Sequence, residues 1–193
     1  IELAGDPQAI IGQGVVNKAS GTGNEAEITG ATTSLGNSTG MATGTDGLVS
    51  VSYRGRENPY GNIWKWLDGL NVEVGGIHQA WWADSDFVSN IKTAPYENVG
   101  ITLSKTSGYI SAIGYDPDCD FAFLPVESAG SSSFPLYDYF YQTHISVGVS
   151  GFLVARSGGL WYSGAAAGAC YLSAAFSSAT SDRSVGGCLL LIP

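Results

Sequence analysis

The sequence predicts an α+β domain that is mostly β, with short helices and long irregular loops. Three observations carry that expectation. Glycine is abundant, 27 of 193 residues, about twice the usual ~7%. Charged residues make up only 13%, too few to cover long solvated helices. Short apolar runs are separated by closely spaced turn signals, and no run keeps a helical period beyond about three turns. A hydrophobic fraction of 44% is ample for a packed core.

Residues 1–47 are light in composition, with Gly21-Thr22-Gly23-Asn24, Gly36-Asn37-Ser38-Thr39-Gly40 and Gly44-Thr45-Asp46-Gly47 between short apolar pieces such as Ala9-Ile10-Ile11. We expect residues 1–45 to form a β-rich arm or linker and residues 46–193 to form the main domain. Leu48 to Tyr53 alternates as a strand, and Arg54 to Tyr60 reads as a polar turn. Gly61 to Leu67 reads as a strand with Trp64 and Trp66 on one face. Asp68-Gly69 is a strong hairpin signal with Leu70 to Val74 as the return strand. Trp81-Trp82 is expected to anchor a loop. Val99–Leu103, Tyr109–Tyr115, Val147–Val154 and Leu189–Ile192 are further strands. Phe121 to Pro125 is expected to be buried, and Gly130 to Ser133 to be a loop. There is no internal repeat.

The formal net charge of −9 makes nucleic acid and anionic lipid poor partners, and no apolar run approaches the ~18 residues of a membrane span. The sequence begins without an initiator Met and holds no basic n-region before an apolar stretch, so it reads as a processed or excised piece whose native targeting signal is not visible. Cys119, Cys170 and Cys188 lack metal-type spacing. They are either three small buried thiols, the favoured reading, or include a Cys170–Cys188 disulfide.

Few residues suggest catalysis. His78 and His144, the two histidines, lack a G-x-S-x-G elbow and read as surface or edge residues. Asp116, Asp118 and Asp120 alternate, but Phe121 stands where a calcium loop needs glycine, so a polar turn closed by Asp carboxylates is expected. No metal or cofactor is expected. Tyr137, Tyr139 and Tyr141 share one face of an extended segment, with Asp138 and Phe140 on the other. That face is either half-buried or an amphipathic contact surface. Trp161 follows a double glycine, where backbone freedom lets the ring tuck inward.

The closing stretch joins a rigid frame to a chemically mixed filling. Gly61-Asn62-Ile63-Trp64-Lys65-Trp66 resembles the G-N-V-W-E-W motif of the formylglycine-generating branch of the C-type lectin fold. Gly158-Gly159-x-Trp161, Gly164, Gly168 and Val185-Gly186-x-x-Leu189 resemble its closing pattern. The likeness is closer to the variable proteins of diversity-generating retroelements in phage and bacteria. Tyr53-Arg54-Gly55-x-Glu57-Asn58 and Phe123-Leu124-Pro125 with Gly130 to Ser133 resemble gut-phage members. It covers about residues 46–193, with Cys188 where the family carries Arg.

This resemblance implies a C-type lectin-like fold and a non-enzymatic ligand- or receptor-binding domain. It would sit on a phage virion, at a tail or head fibre tip, or on a bacterial or extracellular surface. It implies binding of a host-surface protein or glycan through a variable patch of Leu160, Tyr162, Ser163, Ala166, Ser173, Ala175, Phe176, Thr180, Asp182 and Ser184. The structural frame would be Trp64, Trp66, Gly158, Gly159, Trp161, Gly164, Gly168 and Gly186. Other virion proteins and a homotrimer are the implied assembly partners. Two alternatives stand beside it. One is a virion decoration protein without ligand binding. The other is a formylglycine-generating-type oxidase, whose copper-binding cysteine pair has no counterpart in the spacing of Cys170 and Cys188.

Overall fold

The computed structural model describes residues 6–20, 25–132, 138–142 and 151–187. It is mostly β, 33% strand and 8% helix, and divides into two compact units. The first comprises residues 1–66, 157–170 and 181–193, and the second residues 67–156 and 171–180.

In the first unit, helix α1 spans Pro7–Ile11. The Asp6 carboxylate accepts the Gln8 amide at 2.9 Å, proline occupies the first turn, and Gly12 follows the end. This is the usual cap, proline and glycine order for a short helix. Strands β1 (Gly40–Met41), β2 (Val51–Tyr53) and β3 (Arg56–Glu57) form an antiparallel sheet in that order. Arg54 and Gly55 turn the β2–β3 hairpin with φ of 50° and 84°, the positive values a two-residue turn requires. The expected polar turn is therefore a hairpin whose return strand includes Glu57. Ile11, Val51 and Tyr60 form the buried cluster here, with Met41 and Tyr53 packed against it.

The N-terminal stretch is part of this unit, not appended to it. The Tyr60 hydroxyl donates to the carbonyls of Pro7 and Gly12, at 2.9 and 2.6 Å. Val16 and Asn17 amides bond Gly47 O. Lys18 and Glu27 form an ion pair.

Strand β4 (Trp64–Val74) runs for 11 residues, so Asp68-Gly69 is not a turn. Leu70 to Glu73 pair antiparallel with β5 (Gln79–Trp82), and the chain reverses beyond Val74, through Gly75-Gly76. Gly69 instead marks an irregularity inside the strand. Its φ is 78°, its carbonyl accepts the Ala83 amide at 2.9 Å, and a Cβ there would stand 2.5 Å from Ala83 O. A short-range hairpin signal was thus satisfied as an in-strand glycine. Trp81 and Trp82 lie in β5 rather than anchoring a loop.

The second unit continues with β6 (Glu97–Thr102), β7 (Gly108–Tyr109), β8 (Ala112–Gly114), β9 (Leu124–Glu127), β10 (Tyr139–Tyr141), β11 (Gly151–Ser157) and β12 (Leu172–Phe176). The main sheet has the order β6-β5-β4-β11-β12-β10-β7, and β8 pairs with β9 separately. The expected strand 109–115 is split. Ile110 donates to Asp138 O and Ser111 to Glu127 O, so the backbone changes partners between β7 and β8. Val72, Val99, Ile101, Leu153 and Phe140 lie in the core cluster. Each contributes about 1.5–3 kcal/mol by burial. Phe121 and Phe123, expected inside, are 57% and 62% exposed, while Leu124 alternates inward at 8%. Asp116 Oδ1 accepts the Asp118 amide at 2.9 Å, which closes the acidic turn.

Returning to the first unit, a 3-10 turn spans Gly164–Ala166. Strand β13 (Val185–Gly186) pairs parallel with Trp64 and Lys65. The expected strand Leu189–Ile192, Cys188, His144 and Tyr137 lie outside the described residues, as do residues 147–150 of the expected strand 147–154, whose remainder lies in β11.

Candidate ligand-display surface

Two motifs far apart in sequence meet in the first unit. Gly158 and Gly159 take φ of 91° and 83°. At Gly158 a Cβ would lie 3.3 Å from the Tyr60 Cα, so glycine answers both a backbone and a space requirement. The Gly61 amide donates to Gly158 O at 2.9 Å, and the Trp161 amide donates to Asn62 O at 3.0 Å. Asn62 in turn holds Glu27 by both its side-chain oxygen and its side-chain nitrogen, at 2.8 and 3.1 Å. Trp161 is 3% exposed, as the double glycine before it predicts.

The N-terminal segment clamps the same loop. Lys18 N donates to Trp161 O at 2.8 Å, and Gly164 N to Val16 O at 2.9 Å. The Gln8 side-chain amide donates to Gly164 O at 3.0 Å and to Ala167 O at 2.6 Å. Ser163 Oγ accepts the Leu160 amide at 3.0 Å. These bonds fix the backbone from Gly158 to Ala167 and leave Tyr162 49% exposed. Its ring sits edge-on to Trp161, 5.9 Å between centroids.

Six of the ten expected ligand positions belong to the first unit and four to the second. In the first, Tyr162 is exposed, and Ser163 and Ala166 are half-buried. Asp182 is exposed, with Oδ1 accepting the Ser184 amide at 2.7 Å. Ser184 is half-buried and its carbonyl accepts Trp64 N at 2.8 Å. Leu160 is 7% exposed and so is a packing residue, a correction to the expected contact role. The branched chain follows the positive-φ glycines inward, where its transfer from water is favourable.

In the second unit β12 carries Ser173, Ala175 and Phe176, and Thr180 follows it. Ser173 and Ala175 are 0% and 2% exposed, which likewise removes them from a ligand-facing surface. Neighbouring strands β10 and β11 cover β12 on both edges. Phe176 and Thr180 are half-buried. Phe176 lies over the guanidinium of Arg156, 3.7 Å from ring centroid to Cζ, a cation–π geometry. Arg156 is itself only 2% exposed and reaches Ser173 Oγ at 3.4 Å. Sequence reasoning missed this arginine. The available signal was a cation inside the apolar run Gly151 to Ala155-Arg156, in a chain with eight Lys and Arg.

Beside it, Tyr139 packs edge-on against Tyr109 and Tyr171, with centroids 5.1 and 5.7 Å apart. Phe140, from the opposite face of β10, is 1% exposed. The tyrosine face is therefore the half-buried one of the two readings. Burial, reinforced by the nearby Tyr139 and Tyr141 hydroxyls and partly opposed by Arg156, pushes the Tyr171 phenol far up.

The titratable groups also correct two expectations. His78 is not at the surface. It is 3% exposed, with Nδ1 2.9 Å from Gln142 Nε2, which also donates to Ser104 O at 3.0 Å. An amide nitrogen donates, so Nδ1 accepts and the ring is neutral. Burial and the Lys105 charge lower its pKa, against an opposing hydrogen bond from the ring to the Ser104 backbone carbonyl. Cys119 is buried, and burial with the Asp116, Asp120 and Glu97 charges raises its thiol pKa. Cys170 is exposed, not buried as expected, and its pairing with Cys188 concerns a residue outside those described. Among the described residues, no cluster of three or more His, Cys, Asp and Glu side chains is placed to hold a metal ion. No described helix is long and apolar enough to cross a membrane. No family model, curated protein or solved structure matches the chain.

Proposed function

We propose that this chain is a ligand-display protein of C-type lectin-like fold, of the kind diversified by retroelements. It is carried on a phage particle at a fibre tip or on a bacterial surface, and it binds a host-surface protein or glycan without catalysis. One observation carries the reading. The two motifs of the resemblance are joined by main-chain hydrogen bonds, Gly61 to Gly158 and Trp161 to Asn62, while Tyr162, next after Trp161, stands 49% exposed. A frame recognised through its backbone supports a surface whose side chains are free to vary.

The contact set narrows accordingly. Tyr162, Ser163, Ala166, Asp182 and Ser184 in the first unit and Phe176 and Thr180 in the second retain exposed or half-exposed side chains. Weak individual contacts suit a repeated, multivalent display such as a homotrimer, where linkage raises avidity. The test is binding of the fluorescent full chain to intact bacterial cells and to an oligosaccharide panel. Tyr162→Ala is expected to lower binding to the cells or glycan that the parent chain marks, by about tenfold as at an aromatic hot spot, with the far-UV spectrum unchanged. Equal binding by the folded variant would overturn the reading.

A second reading, a decoration protein without ligand binding, is favoured by the burial of Leu160, Ser173 and Ala175. It expects no cell or glycan in the panel to be marked. Oxidase activity is tested by turnover of a cysteine-containing sulfatase peptide in the presence of copper.

A further inference from the structure

The hairpin formed by β8 and β9 exposes an apolar face that the ligand-display reading leaves unused. Ile113, Tyr115, Phe121 and Phe123 are 41%, 59%, 57% and 62% exposed, and all four come from one stretch of eleven residues, 113–123. The geometry explains why they gather. Gly114 pairs with Leu124, so Tyr115 and Phe123 flank the end of the ladder and their rings stack at 6.0 Å and 29°. Phe121 is held against Trp82, 4.6 Å between centroids and 71° between planes. The rings are therefore positioned by neighbours while their outer surfaces face solvent. Exposed large apolar side chains gathered on one short segment are of the sort that marks an interaction site.

Charge selects the occupant. The turn at the tip of the same hairpin carries Asp116, Asp118 and Asp120, and residues 112–127 contain no Lys or Arg. Asp118 and Asp120 are exposed, and the chain as a whole carries −9. Aromatic faces and carboxylates share one preference: both attract a cation, the rings through their quadrupoles and the acids through their charge. An acidic segment is repelled here. A neutral apolar one leaves the acids without a counter-charge.

We propose that the 112–127 hairpin is a docking surface for a basic, apolar-bearing segment of a partner protein, with Lys or Arg spaced among large apolar residues. The rings of Tyr115, Phe121 and Phe123 receive the apolar residues and the alkyl stems, and Asp118 and Asp120 receive the ammonium or guanidinium heads. The proposal stands independently of ligand display by Tyr162.

Fluorescence anisotropy of the full chain with three labelled synthetic peptides tests it: one alternating Lys with Leu and Trp, one with the apolar residues replaced by Ser, and one with Lys replaced by Glu. Only the first is expected to bind. Its Kd is expected to weaken about tenfold or more in Tyr115→Ser/Phe123→Ser and in the charge reversal Asp118→Lys/Asp120→Lys, and to weaken with added salt. Tyr162→Ala is expected to leave it unchanged. Binding of the Lys–Ser peptide as tight as the first, unchanged binding in both double variants, or no binding of the first peptide would overturn the proposal. So would self-association of the parent chain that the same variants abolish, since a second copy would then be the occupant. If Tyr115→Ser/Phe123→Ser loses the native spectrum, the charge reversal at two exposed positions decides alone.

Discussion

Glu57 holds a loop with a single carboxylate. Oε1 accepts the Gly30 amide at 3.0 Å, and Oε2 accepts both the amide and the hydroxyl of Thr32 at 2.7 Å. Burial alone would raise its pKa, but the hydrogen bonds from Thr32 and Gly30 outweigh it and the net shift is downward. A lowered folded-state pKa contributes stability above the unfolded value near ~4.3, which is lost as pH falls through the folded pKa. Glu57→Gln is expected to cost about 1 kcal/mol at neutral pH, the partly solvated carboxylate keeping the figure low. Denaturant midpoints at neutral and acid pH check both the loss and its disappearance on acidification. His78 has the same sign. Its depressed pKa means stability is complete above ~6.5 and declines as pH drops from there toward the folded value. His78→Gln is expected to flatten that part of the midpoint-versus-pH curve. The sequence made Glu57 visible as part of a motif. It hid His78, because a lone histidine looks the same whether Gln142 lies beside it or solvent does.

At the scale of elements, local signals failed where tertiary pairing offered an alternative. Asp68-Gly69 has the chemistry of a two-residue turn, yet β4 runs through it because Ala83 bonds to Gly69 and the reversal falls farther along the chain. The consequence is a contrast between two glycines. Gly69→Ala meets Ala83 O at 2.5 Å with φ of 78° and is expected to cost about 1–2 kcal/mol or more. Gly76→Ala meets nothing within 4 Å and is expected to stay within about 0.5 kcal/mol. Urea denaturation of the pair checks this. The reverse result, Gly76 costly and Gly69 neutral, would restore the turn at 68–69. Alternation read the short strands well, since period 2 survives in any pairing. It could not foresee that the strand expected at 109–115 would change partners at Ile110 and Ser111, because that depends on Asp138 and Glu127 far along the chain. The apolar run at 121–125 misled for a related reason. Hydrophobicity gives the cost of exposure, while the hairpin geometry decides which side chains bear it.

For the whole molecule, the division into units follows contacts that sequence order conceals. Composition drew a boundary at residue 45, where glycine-rich turns give way to denser apolar strands. Yet Gln8, Val16 and Lys18 bond the stretch 161–167, and residues 157–170 share the first unit with the N-terminal segment. A chain lacking residues 1–20 is expected to lose the protection of the Trp161 and Gly164 amides from hydrogen exchange, with its indole emission shifted to the red as Trp161 meets water. Retention of both would mean that residues 21–193 hold the loop without the segment. The frame of the candidate surface was legible because glycine and tryptophan carry geometric requirements that show in sequence. The filling was less so: burial of Leu160, Ser173 and Ala175 depends on neighbours, and small or apolar residues serve equally on a surface and beneath it.

The Gln8 amide grips Gly164 and Ala167 by their carbonyl oxygens, and Lys18 and Val16 likewise engage only main-chain atoms of the loop. Such a clasp is blind to the identity of the residues it encloses. The loop can therefore serve as an insertion point for protein engineering: a library randomised at Tyr162, Ala165 and Ala166 should yield folded members in bulk, whereas one randomised at Trp161 should not.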